Sequence, residues 1–111
     1  MPPIEVVQDP ERFTTWLGER LFESGVPSHL HEGLQRYVVH HIPTGSFLLA
    51  VLSNDLREAC ARADTHCQSR IWNIVYFLVN YCPLGCWGST EHVRAWLENR
   101  PRLGGLMGTK S

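Results

Sequence analysis

The chain has 111 residues, 43% of them hydrophobic and 19% charged, with four Trp, four Phe and three Tyr. This composition suits one folded domain with a real core and excludes both a disordered chain and a second core of useful size. Ten basic residues against eleven acidic give a formal net charge of -1, so no overall field draws the protein to a phosphate backbone.

The opening stretch MPPIEVVQDPERF has no basic segment followed by an apolar one, hence no secretion signal. The longest nearly apolar run, IWNIVYFLV, is too short to span a bilayer. A cytoplasmic protein with reduced thiols is the expectation. The first predicted helix covers residues 10 to 24. Asp9 caps it, Pro10 suits its first turn, Gly25 suits its exit, and Phe13, Trp16, Leu17 and Leu21, with Phe22 beside them, form an apolar stripe. In PSHLHEGLQRYVVHHIP, Ser28 is the expected cap, Leu30, Leu34, Tyr37, Val38 and Ile42 face inward, and Pro43 ends the helix.

A third helix is expected to start at Ser46 and run to about Ala63, with Leu48, Leu49, Leu52, Leu56, Ala59 and Ala63 on one side. Asn54, Asp55, Glu58 and Arg62 occupy the other side, where Glu58 and Arg62 make an i,i+4 pair. Next, HCQSRIWNIVYFLVNYCP reads as a central helix, apolar nearly all round from Ile71 to Val79. It must be buried on most sides, in this core or in an oligomer interface. A buried strand is the rival, but no hairpin or alternating partner exists for it. Ser89 caps a last helix with Val93, Trp96 and Leu97 inward, and the Gly-rich tail from residue 100 is expected to be flexible. The fold class is therefore all-α, a single-domain bundle of about five helices that could pair as a homo-oligomer.

Cys60, Cys67, Cys82 and Cys86, with His66 and His92 nearby, supply enough donors for zinc, but neither close pair of cysteines makes the tight knuckle of common zinc motifs. Small buried thiols and no metal or cofactor are the expectation. His40-His41 and His29-x-His31 lack the i,i+4 spacing of a metal clamp. No phosphate loop, nucleophile elbow or paired carboxylate appears, so no catalytic residue is assigned and the protein reads as a non-enzyme. CPLGCWGSTEHVRAW, residues 82 to 96, reads as a Pro turn, a Trp-bearing loop and a capped helix rather than a metal clip.

Residues 29 to 97 also resemble a family of small proteins of tailed bacteriophages and prophages. The match is carried by Ile42, Pro43, Gly45, Ser46, Phe47 and Leu48, then Ser53 through Leu56 and Arg62 through Asp64. It continues with Asn80, Pro83, Cys86 through Ser89, Glu91, Val93 and Trp96. His41 stands where that pattern usually has Gly, Cys67 lies near a usual Asn, and Thr90 replaces the usual Pro. Residues 1 to 28 form an N-terminal helical extension outside the match, within one domain of residues 1 to 111. The resemblance implies an accessory protein acting in the host cytoplasm, in counter-defence or host takeover, and supplies no biochemical activity. Its partner would be a host protein or a small nucleotide-like ligand, with no membrane, met by Asn54, Asp55, Arg62 and Trp87. Two alternatives are a helix-turn-helix-like DNA regulator, for which Arg70 is the single basic residue in the would-be reading helix, and an oligomeric virion assembly protein.

Overall fold

The structure is a computed structural model that describes residues 2–83 and 85–99. Among them are eight α-helices and no strand: α1 Ile4–Val7, α2 Pro10–Glu23, α3 His31–His40, α4 Ser46–Leu52, α5 Leu56–Arg62, α6 Thr65–Gln68, α7 Ile71–Tyr81 and α8 Thr90–Glu98. A 3-10 turn, Ser28–Leu30, leads into α3. The fold is the all-α domain expected. The tail from residue 100 lies outside the described residues.

Local chemistry explains most boundaries. The Asp9 carboxylate accepts from the Glu11 and Arg12 amides, and Pro10 follows as the first helical residue of α2. The exit of α2 turns at Gly25, whose φ of 77° suits a residue without Cβ, and the Val26 amide reaches back to the Leu21 carbonyl. Two expected caps are absent. Ser28 makes no side-chain cap bond and instead opens the 3-10 turn, while α4 is preceded by Gly45 with Ser46 already helical. Helix α3 stops at His40, before Pro43, because His41 adopts the left-handed conformation at φ 59°.

The expected third helix is two helices. Asn54 sits at φ 61°, and the Asp55 amide bonds the Ala50 carbonyl, closing α4. Asp55 then caps α5, its Oδ1 accepting from the Glu58 amide at 3.1 Å. Asn tolerates the left-handed region and Asp is a strong N-cap, so Ser53-Asn54-Asp55 stops one helix and starts the next. Leu49 and Leu56, expected to face inward, are exposed as a result, and so is Phe22 on α2.

One core joins the elements. Leu17 and Leu21 of α2, Leu34, Tyr37 and Val38 of α3, Leu52 of α4, and Ile74, Phe77 and Leu78 of α7 are essentially sealed from solvent. Val6, Phe13, Leu17 and Leu21 belong to this core, so the described part of the N-terminal segment, residues 2 to 28, packs as part of the same body. The Tyr37 hydroxyl donates to the Cys86 carbonyl at 2.6 Å, and the Trp96 indole donates to the Tyr37 carbonyl at 2.8 Å. His41 Nδ1 donates to the Trp96 carbonyl at 2.6 Å, and its ring stacks on Trp96 at 4.2 Å. These bonds fasten α8 and the preceding loop onto the end of α3.

That clamp predicts a pH dependence. Burial holds the His41 pKa below its ordinary 6.5, against the opposing effect of its bond to the Trp96 carbonyl. Above that value both folded and unfolded chains carry a neutral ring; below it the unfolded chain takes up the proton first, and stability falls with pH. His41→Asn keeps a residue that tolerates positive φ and removes the titration. Denaturant unfolding at about pH 7.5 and about pH 5.5 is expected to show a larger loss for the wild type than for His41→Asn; equal losses contradict the assignment.

Ser89 caps α8, its Oγ accepting from the His92 amide at 3.1 Å and lying 2.7 Å from His92 Nδ1. Ser89→Ala is expected to lower stability by about 1 kcal/mol and Ser89→Asp to be nearly neutral. Thermal melts of the pair check this, and equal losses would point to a second role for the hydroxyl.

Candidate functional site

The four residues singled out in sequence lie on the α4–α5 corner and its surroundings. The Gly88 amide, at φ 122°, donates to the Leu52 carbonyl at 2.7 Å and so folds the 85–89 loop back against the end of α4. Trp87, the residue before Gly88, is half-buried and packs on the core. Asp55 is occupied as the α5 cap and Asn54 as the left-handed stop. Arg62 lies two turns along α5 from that cap and pairs with Glu58, Nε to Oε1 at 3.4 Å. Asn54 is outside the helix, so it does not share the helical face with Asp55, Glu58 and Arg62 that a continuous helix would give. Each residue has a structural task.

Helix α7 offers a different surface. Its inner side, Ile74, Phe77 and Leu78, is fully buried, yet Trp72 is 71% exposed, Val79 62% and Tyr76 40%. Of the two expected ways of covering this helix, the core of one chain supplies only part: α7 has a buried face and an open apolar one. Trp72, Tyr76 and Val79 recur at i, i+4 and i+7, which aligns them along the helix. Asn73 anchors the helix from the side, donating to the Ser24 carbonyl at 2.9 Å.

The open face continues as an aromatic row. Trp72 stacks on Tyr76 at 5.2 Å, Tyr76 meets Tyr81 edge-on at 6.4 Å, and Tyr81 meets Trp16 of α2 edge-on at 5.9 Å. Arg20 lies over the Trp16 ring at 5.5 Å, but its guanidinium is held by Glu23 at 2.8 Å and Glu19 at 3.7 Å. α7 itself contains no charged residue. Trp72, Tyr76 and Val79 together expose on the order of 300–400 Å², the size of patch that on an ordinary monomer is often functional. The signal in sequence was the all-round apolarity of residues 71 to 79; what it could not give was which side the core would leave uncovered.

The cysteines do not gather into one centre. Cys60 is exposed, whereas Cys82 and Cys86 are buried, and burial together with the neighbouring Cys86 pushes the Cys82 thiol well above its ordinary range. Cys67 lies apart from them, beside His29 and Asp64.

No helix among the described residues is long and apolar enough to cross a membrane. Comparison with protein-family models, curated proteins and solved structures returns no match for this chain.

Proposed function

We propose that the protein is a non-enzymatic binding protein that docks the open aromatic face of α7 onto a host protein. The observation that carries this reading is the uncharged face of Trp72, Tyr76 and Val79 on a helix whose opposite side is sealed in the core. Protein interfaces are enriched in Trp and Tyr and depleted of charge at their centres, which is the composition found here. A nucleic acid is the wrong occupant, because the cation seen against the aromatic row, Arg20, is already neutralised by Glu19 and Glu23. The same lack of cations on α7 argues against its use as a reading helix in a major groove. The likeness to phage and prophage accessory proteins supplies the setting: the occupant is a host protein, and docking would block its normal contacts.

The test places a photo-crosslinking phenylalanine analogue at Tyr76, with a control at Glu32, an exposed position on α3. The expected result is one host protein captured from position 76 and not from position 32, which then binds the purified chain directly and loses binding to Val79→Glu. Capture from both positions alike, or adducts consisting of two copies of this chain, would overturn the reading, the second in favour of self-assembly.

A further inference from the structure

A side chain from the turn before α3 converges with two from the start of α6. His29 sits in the 3-10 turn Ser28–Leu30, Asp64 is the N-cap of α6, and Cys67 lies in the single turn of that helix. His29 Nε2 is 3.6 Å from Cys67 Sγ and 3.9 Å from Asp64 Oδ2, and one donor atom from each residue lies within 4.8 Å of the others. The Asp64 carboxylate is oriented by its other oxygen, Oδ1, which accepts from the Cys67 amide at 2.7 Å. Oδ2 is thus left facing His29.

The arrangement has the shape of a coordination site and not of a nucleophilic triad. In a triad the imidazole uses one nitrogen for the nucleophile and the other for the carboxylate. Here thiol and carboxylate both approach the same nitrogen, Nε2. Three lone-pair donors then aim at a common centre with no hydrogen to share among them once the thiol is ionised. Tetrahedral zinc, with Zn–S of about 2.3 Å and Zn–N of about 2.0–2.1 Å, sets an S···N edge of about 3.6 Å, and the observed separation is 3.6 Å. The N···O edge would be about 3.4 Å, reached from 3.9 Å by a small turn of the exposed carboxylate. The burial pattern also fits: Cys67 is 3% exposed while His29 and Asp64 stand at the surface, so an ion can enter from the solvent side.

We propose that His29, Asp64 and Cys67 form a zinc-binding site with three protein ligands and a fourth position open to water or another small donor. The donor set is mixed nitrogen, oxygen and sulfur, which suits a borderline-soft divalent ion and disfavours magnesium or calcium. On binding, the Cys67 thiol releases its proton to solvent and coordinates as thiolate. Without a cation, burial and the adjacent Asp64 carboxylate push that thiol up to about 11, so the metal-free residue is an inert thiol; a bound divalent charge reverses the balance. The exposed His66 ring stands 6.0 Å from the His29 ring. The ion would tie α6 to the turn ahead of α3. Cys67 lies outside the main core cluster, so the fold does not depend on the ion.

The experiment titrates the full chain, stripped with chelator, with zinc and with cobalt(II). Expected are one equivalent of metal, a thiolate-to-cobalt charge-transfer band, and a melting temperature raised by zinc and returned by chelator to the metal-free value without unfolding. Cys67→Ser should abolish the charge-transfer band. His29→Ala should weaken zinc binding by more than about 100-fold, because even loss of a hydrogen-bond partner of a ligand costs about 10- to 100-fold. Asp64→Asn retains the α6 cap and should weaken binding at least about 10-fold, while Cys60→Ser should bind as the wild type does. His29→Ala is a surface change whose helical signal and melting temperature without metal verify its folding. No saturable zinc uptake by the wild type, or a charge-transfer band and affinity unchanged in folded His29→Ala, would overturn the site.

Discussion

Tyr37→Ala is expected to lower stability by about 3–5 kcal/mol, the range for removing a large aromatic side chain from a packed core. Tyr37 is 1% exposed, and its hydroxyl holds the Cys86 carbonyl at 2.6 Å, 49 residues away in sequence. Burial pushes its phenol well above the ordinary range, with Cys86 and Cys82 adding to the effect. Tyr37→Phe keeps the ring and leaves that carbonyl without its donor, and should lower stability by about 1–3 kcal/mol. Urea midpoints at constant slope measure both. A Phe variant as stable as the wild type would mean that the bond to Cys86 is not what fastens the loop.

The second large effect divides α7 by face. Phe77→Ala should lower stability by about 3–5 kcal/mol, since Phe77 has no exposed surface and contacts the core from the middle of the helix. Trp72→Ala, on the same helix and removing a larger side chain, should lower it by less than about 1 kcal/mol. Its principal loss in the free protein is the stack on Tyr76. Similar losses for the two would mean that Trp72 is covered in solution, as it would be in a stable pairing of two chains.

Much of the fold was legible because short-range chemistry decides it. The Asp9 cap with Pro10, the Gly25 exit, the Glu58–Arg62 pair and the Ser89 cap all stand in the structure as read from residue type and spacing. The break at Ser53-Asn54-Asp55 was also written locally, as a left-handed Asn before a capping Asp. An apolar periodicity that runs on through Leu56 masks it, and Leu56 proves to be exposed. His41 holds a backbone conformation that more often belongs to Gly, at φ 59°. Here the ring's stack on Trp96 and its bond to that residue's carbonyl accompany the left-handed backbone.

The surfaces were less legible, for a different reason. Asn54, Asp55, Arg62 and Trp87 stand out in sequence as polar or aromatic residues around one turn and one loop, and capping, turning, pairing and packing account for them one by one. The open face of α7 depends on which side the core covers, a tertiary choice that an all-round apolar helix does not encode. The His29, Asp64 and Cys67 cluster joins residues 38 positions apart, and no local spacing announces it. Asp64 caps α6 with one oxygen, and only the tertiary placement of the turn before α3 sets the second beside His29.

The proposed partner surface is the aromatic face of α7 and not the α4–α5 corner. Calorimetric titration of the host protein captured through position 76 against Trp72→Glu and Arg62→Ala compares the two surfaces directly. Binding is expected to be at least about 30-fold weaker for Trp72→Glu, the scale of an interface hot spot, and within about threefold of wild type for Arg62→Ala, with both variants folded. Binding lost with Arg62→Ala and retained with Trp72→Glu would contradict it.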